Sequence, residues 1–215
     1  MDTTVTNKID LLHVASPFSS AIDFGGMWRV DGLYAIECVK RFGAKKVYLV
    51  DTFESTKWLL QKRQIKQLKF VKGDFGNTST LAKIPSKADL GICYDILLHQ
   101  VELYTTLKLI TSKIAKKIVV AQPVLKEHKL QYKNSLVFLP GSKEKLLLRP
   151  HWKDIKIFDI HNTNTDNWIW GMTPSILDSL FGSLGWKKVY NKNWSGWFAN
   201  KLTWEMYGAI YERQK

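Results

Sequence analysis

The chain has few cysteines and no long apolar segment. Only two cysteines, Cys38 and Cys93, occur in 215 residues, and they fall in a predicted helix and a predicted buried strand. A disulfide between them is not expected, so a reducing compartment fits the sequence. No segment approaches the roughly 18 uncharged apolar residues of a membrane span, and residues 1–18 lack the apolar core of a signal peptide. We therefore expect a soluble, cytoplasmic protein with no membrane partner.

Several catalytic signatures are missing as well. Five scattered histidines and two separated cysteines offer no metal-ligand spacing, so no metal site is predicted. Neither the G-x-S-x-G of a serine nucleophile nor a phosphate-binding P-loop occurs. No linker rich in Pro, Gly or Ser divides the chain, so residues 1–215 are predicted to form one domain.

Acidic residues are in the minority. The chain has 32 Lys and Arg against 19 Asp and Glu, which gives a net charge of +13 and a pI near 9.6. Such a field attracts polyanions, which makes RNA a candidate partner. The basic residues are spread over predicted strand starts and helix faces instead of forming one tract, which favours an ordinary solvated surface. Both interpretations stay open.

What the chain does contain is a regular alternation of short apolar runs and helical patterns. The predicted strands are 20–24, 47–50, 68–71, 88–94 and 117–121, and the predicted helices include 30–42, 56–67 and 96–112. This alternation implies a parallel sheet with helices on both faces. Near the end, Thr173 and Pro174 predict the start of a helix that stops at Gly185, followed by strands at 188–190 and 203–211.

Two segments fall outside this alternation. Residues 1–18 form an N-terminal extension to the first strand, and residues 122–170 have little clear periodicity. Loops this long inside a compact domain are usually lids or binding elements. The second segment is therefore predicted to be an insertion after strand five that caps the substrate.

The first two strands end on residues suited to a ligand. The first ends in Asp23-Phe24-Gly25-Gly26, where adjacent glycines permit a close approach and positive φ, and helix N–H groups follow. The second ends at Asp51, where an acid can accept hydrogen bonds from both hydroxyls of a ribose. Met27 and Arg29 replace the later glycines of G-x-G-x-x-G, which argues against NAD and FAD. The pattern indicates a ligand with a ribose but no pyrophosphate.

This segment resembles motif I and the following acidic strand end of the class I S-adenosylmethionine-dependent methyltransferases. In that family a strand ends D-x-G-x-G, a helix ends in Gly-Ala, and the next strand ends in Asp or Glu. The matching residues are Asp23, Gly25, Gly43, Ala44 and Asp51. The glycine loop is longer than is usual in the family, and Gly32 stands in for its last glycine.

Three further matches follow in the family's order. Asp74 and Phe75 come after the third strand, and the stretch from Tyr94 to His99 comes after the fourth, like the family's "D-x-L-x-H". Residues 167–174, which include Trp168 and Trp170, resemble the branch of tRNA wobble-uridine methyltransferases and their small-molecule relatives. The resemblance covers nearly the whole chain from residue 19 onwards.

The resemblance implies a fold, a cofactor and a reaction. The fold is a doubly wound, mostly parallel seven-stranded α/β sheet whose last strand is antiparallel. The cofactor is S-adenosylmethionine, and the reaction is methyl transfer to an O, N or C atom of a small-molecule acceptor. The implied cofactor-binding residues are Asp23, Gly25, Gly26, Asp51, Thr52, Asp74, Phe75, Tyr94 and Asp95. Trp28 lies in the glycine loop, and Trp168 and Trp170 lie at the end of the 122–170 segment, so these three are candidate acceptor-binding residues. His99 is a candidate acceptor contact and a candidate general base.

Each of these roles has an ordinary structural alternative. Asp23 can simply cap the turn, Asp51 can be a loop acid, and Asp74 can lie in a solvated turn. His99 can be a structural hydrogen-bond donor, and the tryptophans can belong to the core. Other functions also stay open: an RNA methyltransferase, another reaction of the same cofactor such as its cleavage, and a non-catalytic protein that binds nucleic acid or a partner on a degenerate methyltransferase fold.

Overall fold

The structure is a computed structural model that describes residues 3–126, 135–138, 170–198 and 202–214. The helices are α1 (Thr3–Ala15), α2 (Leu33–Lys40), α3 (Thr56–Gln64), α4 (Thr78–Ala82), α5 (Leu103–Ser112) and α6 (Pro174–Ser183), with a 3-10 turn at Leu97–His99. The strands are β1 (Ser20–Phe24), β2 (Lys46–Asp51), β3 (Leu68–Lys72), β4 (Ala88–Tyr94), β5 (Ile114–Pro123), β6 (Leu136–Phe138), β7 (Trp170–Met172), β8 (Trp186–Phe198) and β9 (Leu202–Arg213).

Seven strands form the main sheet, in the order β3-β2-β1-β4-β5-β9-β8. Strands β1 to β5 are parallel, whereas β9 runs antiparallel to both of its neighbours, β5 and β8. The predicted seven-stranded, mostly parallel sheet with an antiparallel last strand is therefore confirmed. Parallel pairing also places the carboxyl ends of β1, β2 and β4 side by side at one edge of the sheet.

The sheet has a buried core on each of its two faces. Leu107 and Phe181 anchor one face, from α5 and α6, while Leu11, Leu12 and Trp58 anchor the other, from α1 and α3. These side chains are at most 1% exposed. The central strands β1 and β4 are buried on both faces, which explains why most of their residues other than Asp23 and Asp89 are apolar.

Helix α1 forms in the segment interpreted from sequence as an N-terminal extension. Its buried side carries Leu11 and Leu12 but also the polar residues Thr4, Asn7 and Lys8. These polar residues interrupt the apolar periodicity that would have predicted a helix. Residues 3–15 are thus part of the folded domain. None of the described helices is long and apolar enough to cross a membrane.

Several predicted boundaries differ from the structure. The helix predicted at 96–112 is divided into the 3-10 turn and α5, and the one predicted at 30–42 begins only at Leu33 because a loop precedes it. Strand β5 continues to Pro123, so the start of the predicted 122–170 insertion lies in the main sheet. Of the rest of that insertion, β6 is described, and it pairs with β7 in a small antiparallel sheet.

Candidate functional site

The glycine loop between β1 and α2 is closed by its own hydrogen bonds. The Gly32 N–H donates to Gly26 O at 2.9 Å, and the Asp31 N–H donates to Met27 O at 3.0 Å. Gly32 has a φ of +75°, and a Cβ there would lie 2.3 Å from Cε3 of Trp58. Only glycine combines that backbone angle with such a close approach. The geometry therefore requires the glycine that the sequence analysis placed at the end of the motif.

Asp51 joins this loop to the end of β2. Its Oδ2 accepts the Met27 N–H at 3.0 Å, and its Oδ1 accepts the Thr52 N–H at 2.7 Å. Burial raises the pKa of Asp51, and the N–H donors of Met27 and Thr52 offset that rise in part. A carboxylate oxygen can accept more than one hydrogen bond, so Asp51 keeps acceptor capacity for a ligand hydroxyl.

Asp23 lies beneath the same loop with its carboxylate buried. The residue is 1% exposed, and neither carboxylate oxygen has a hydrogen-bond partner among the described residues. A Cβ on Gly26 would lie 2.1 Å from Oδ2 of Asp23, so the loop can cover this carboxylate only with glycine. Burial, together with the charge of Asp51, raises the pKa of Asp23 to about 7, and the nearby Ala35 amide and Lys8 partly offset this. The site thus holds a carboxyl group that titrates near neutral pH.

A partly buried ion pair joins α1 to the end of β4. Nζ of Lys8 lies 2.6 Å from Oδ2 of Asp95, and Lys8 is 5% exposed. The Tyr94 hydroxyl donates to Lys8 O at 2.7 Å, and Nζ of Lys8 lies 5.5 Å from the Tyr94 ring centre and 5.9 Å from that of Tyr34. Lys8 is therefore held by charge, by a main-chain hydrogen bond and by two aromatic rings.

Asp95 is unusual in two respects. Its φ is +56°, in the left-handed region that residues other than glycine seldom adopt, and its Oδ1 is buried without a hydrogen-bond partner among the described residues. Strain and an unsatisfied polar atom at one position are typical of a binding site. Asp95 was predicted from the sequence as a cofactor-binding residue, whereas Lys8 was not. The spacing of Lys8 from Leu11 and Leu12 was the available signal, since it places all three on one face of a helix.

An apolar surface flanks the first glycine. A Cβ on Gly25 would lie 2.6 Å from Cγ2 of Ile96 and 3.4 Å from Cε1 of Phe75. The Phe75 ring also meets Phe24 edge to face, with centroids 6.0 Å apart. Ile96 was not singled out from the sequence, although it directly follows Asp95. Asp74 is exposed, and its Oδ1 accepts the Gly76 N–H at 2.8 Å, which is the geometry of a capped turn.

The remaining predicted residues that the structure describes lie on the turn after β4, on β7 and on the glycine loop. The exposed His99 is on the 3-10 turn after β4, and Trp170 is tied to that turn because its Nε1–H donates to Gln100 O at 2.7 Å. Trp28 is half-buried on the glycine loop, with the Arg29 guanidinium 4.5 Å from its ring centre. Trp168 lies outside the described residues. Trp170 therefore lies beside the turn that carries His99.

Comparison with known proteins identifies the fold. No protein-family model and no curated protein match the chain. Among solved structures, a 1,6-didemethyltoxoflavin-N1-methyltransferase from Burkholderia thailandensis, with bound 1,6-didemethyltoxoflavin and S-adenosylhomocysteine, matches with a TM-score of 0.64 at 13% identity, over 99% of this chain and 78% of its own. Magnesium protoporphyrin IX methyltransferase from Synechocystis PCC 6803, with bound S-adenosylmethionine, matches with a TM-score of 0.56 at 12% identity, over 99% and 78%. The chain thus has the Rossmann-like fold of the S-adenosylmethionine-dependent methyltransferases.

Proposed function

We propose that this protein transfers a methyl group from S-adenosylmethionine to an oxygen, nitrogen or carbon atom of a small-molecule acceptor. The observation that carries the proposal is that the glycine loop, Asp51 and the Lys8–Asp95 pair meet at the carboxyl ends of β1, β2 and β4. Open parallel sheets bind their ligands at this edge. The two methyltransferases named above share the fold.

The ion pair suits the amino-acid end of the cofactor, which carries one ammonium and one carboxylate. Oδ1 of Asp95 is buried and lacks a hydrogen-bond partner among the described residues, so it can accept from the ammonium. Lys8, the cationic partner of Asp95, can donate a hydrogen bond to the carboxylate of the cofactor. The backbone at Gly25 and Gly26, above Asp23, would lie against the methionine chain. The ammonium and the carboxylate of the cofactor would thus each contact a side chain of opposite charge.

Residues at the ends of β2 and β3 suit the nucleoside. Asp51, with Thr52 beside it, would accept hydrogen bonds from the ribose hydroxyls. Phe75 and Ile96 supply an apolar surface for adenine, and Asp74 has a second carboxylate oxygen for the adenine amino group. The Tyr94 hydroxyl donates to Lys8 O and so holds α1 against the end of β4, next to this site.

The bound cofactor would supply a methyl group that is already activated by its sulfonium. The chain's own task is then to align the acceptor and to exclude water. We propose that Trp28, Trp168 and Trp170 form walls of the acceptor pocket and that the part of the 122–170 insertion beyond β5 caps it. His99 would take the proton of an O–H or N–H acceptor.

The first test is direct binding. Calorimetry should show saturable binding of S-adenosylmethionine and of S-adenosylhomocysteine by the purified protein. Asp51→Ala should weaken both, whereas Asp10→Ala, which removes an exposed carboxylate on α1, should not. An unaltered protein that bound neither compound would overturn the proposal.

The second test identifies the acceptor. The protein is incubated with cofactor carrying a labelled methyl group and with cell extract, and the label is followed into small molecules and into RNA. We expect it in the small-molecule fraction. Loss of cofactor without a methylated product would indicate cleavage, and binding without any turnover would indicate a non-catalytic role.

RNA methylation, including that of a tRNA wobble uridine, is the second candidate. The observation that favours it is the net charge of +13, which would attract an RNA acceptor. In the same assay, this candidate predicts that the methyl label enters RNA and that less label enters RNA at high salt. That result would favour an RNA acceptor over a small-molecule acceptor.

We further infer that the protein works in the cytoplasm. Cys38 and Cys93 are both free and buried, and burial raises the pKa of each thiol, which leaves them as unreactive parts of the core. Free cysteines suit a reducing compartment. Fractionation of cells that express the tagged protein would test the location.

A further inference from the structure

A groove of about 390 Å³ lies beside the edge strand β3. It is lined by Tyr48, Lys69, Phe70, Val71, Lys72, Lys83 and Pro85. Helix α4, which follows β3, has only five residues. Among the lining residues, Tyr48 and Val71 are buried, while the three lysines are exposed.

All of the charged residues that line this groove are lysines. No acidic side chain lines it, and none of its three lysines lies within ion-pair distance of a carboxylate in the described part of the chain. Elsewhere the protein pairs lysines readily, as at Lys62 with Glu54 and at Lys116 with Asp89. Uncompensated like charges repel one another and do not stabilise the fold. They do provide an attractive surface for an anion.

The lysines are also arranged along the strand instead of around a point. Lys69 lies near the start of β3 on the same face as Tyr48, with which it pairs, and Nζ of Lys83 lies at the end of β3, where it donates to Lys72 O at 3.1 Å. Lys72 is three positions from Lys69, so its side chain leaves the strand on the opposite face. An extended anion with regularly spaced charges fits such a row better than a single small ion. The net charge of +13 would bring a polyanion to the surface in the first place.

We propose that this groove binds the sugar–phosphate backbone of single-stranded nucleic acid. The ring of Tyr48 is covered by Lys46, whose Nζ lies 5.1 Å from the ring centre, and Tyr48 is 7% exposed. This ring is therefore not free to stack on bases, which is how base preference commonly arises in such sites. The protein instead binds the phosphates, so binding is independent of sequence and sensitive to salt.

The inference does not rest on the proposed methyl transfer, because binding is measured without the cofactor. Fluorescence anisotropy of a labelled, mixed-sequence 20-nucleotide RNA is followed as salt is raised. The test variant is Lys69→Glu with Lys83→Glu. The control, Lys187→Glu with Lys40→Glu, makes the same change in net charge at exposed lysines on the opposite edge strand β8 and on α2.

We expect the groove variant to bind at least about tenfold more weakly than the control. The slope of log affinity against log salt concentration should also be less steep for the groove variant. We expect a decrease of roughly 0.7 in that slope for each phosphate that the variant no longer neutralises. Unlabelled poly(U) and poly(A) should compete about equally.

Equal weakening in the two double variants would overturn the proposal, because the overall field would then explain binding. Absence of binding by the unaltered protein at about 50 mM salt, or a preference of more than about tenfold for one homopolymer, would also overturn it. Thermal unfolding shows that each variant is folded.

Discussion

Lys8 and Asp95 are 87 positions apart in the chain, yet Nζ of one lies 2.6 Å from a carboxylate oxygen of the other. The pair joins the N-terminal helix to the end of the central strand β4. The lysine side chain is 6% exposed and the aspartate side chain 30% exposed, so the pair is partly shielded from water. Its position makes the N-terminal helix part of the candidate cofactor site.

Replacing Lys8 should affect stability and cofactor binding together. Lys8→Met keeps the apolar stem but leaves Asp95 without its counter-ion, and loss of one partner of a shielded pair is costly. We expect a loss of about 1–3 kcal/mol in the free energy of unfolding, and cofactor binding at least about tenfold weaker. Denaturant titration and calorimetry measure the two effects.

The matched control for Lys8 is Lys116→Met. Lys116 also pairs with an aspartate, Asp89, at 2.8 Å, but its side chain is 68% exposed. Exposed pairs contribute about 0–1 kcal/mol, so this variant should remain close to the unaltered protein. A Lys8 variant that bound the cofactor normally would remove Lys8 from the site.

Asp51→Ala should weaken cofactor binding by roughly 1.5–3 kcal/mol, the scale of a lost charge-assisted hydrogen bond. It should also destabilise the glycine loop, because the Met27 N–H loses its acceptor. Asp51→Asn separates the effects in part, since its amide oxygen can still accept the Met27 N–H, while its NH2 group cannot accept the Thr52 N–H. We expect it to recover part of the stability, as measured by urea unfolding, and little of the affinity, as measured by calorimetry. Full recovery of affinity would mean that the charge of Asp51 has no part in binding.

Asp23 should make stability fall as pH rises from about 4 to about 7. The pKa of its carboxyl group is raised from 3.8 to about 7 in the folded protein, so the folded state holds a proton that the unfolded state loses first. The stabilisation is complete below the pKa of Asp23 in the unfolded chain, and it is lost as pH rises through the pKa of Asp23 in the folded protein. The total change in the free energy of unfolding is at most about 4 kcal/mol.

Asp23→Asn removes this titration. Urea unfolding at pH 5 and pH 8 should show a smaller loss of stability for the Asn variant than for the unaltered protein. The raised pKa of Asp51 acts in the same direction, so some pH dependence should persist in the variant. Identical pH profiles for the two proteins would indicate that Asp23 is already ionised in the folded state.

Gly32→Ala should destabilise the protein more than Gly43→Ala. Both glycines have positive φ, +75° and +68°, so alanine is strained at either site by about 1–2 kcal/mol. Only at Gly32 would the new Cβ also meet a buried side chain, Trp58, whereas nothing lies within 4 Å of it at Gly43. We expect Gly32→Ala to cost about 1–3 kcal/mol more, by thermal and urea unfolding. Equal losses would mean that Trp58 moves aside without cost.

Trp170→Phe should lower acceptor turnover without lowering cofactor affinity. The change keeps most of the apolar volume but removes the indole N–H that donates to Gln100 O. If Trp170 forms a wall of the acceptor pocket, cofactor affinity should stay within about twofold, while kcat/KM for the acceptor falls about tenfold. Normal kcat/KM in a variant with a lower Tm would place Trp170 in the core.

Local sequence patterns determined much of the fold. Strands β1 to β5 were predicted close to their observed positions, because buried parallel strands are short apolar runs bounded by turn residues. Helix α6 was predicted from Thr173, which caps it by accepting the Ile176 N–H. Gly25, Gly26 and Asp51 were also evident from sequence, since they lie directly at strand ends.

Only the tertiary structure decided what these residues contact. Lys8 was missed because its ammonium is satisfied by Asp95 and by two aromatic rings from distant parts of the chain, so a charged residue could occupy the buried face of α1. Strand β8 proved far longer than its predicted 188–190, because an edge strand tolerates polar residues that leave no apolar alternation. The raised pKa of Asp23 likewise depends on burial beneath Gly26 and on the nearby charge of Asp51, which the pairing of β1 with β2 brings close. Hydrogen-bonding groups and apolar periods are local properties of a sequence, whereas burial and charge pairing arise only when distant segments pack together.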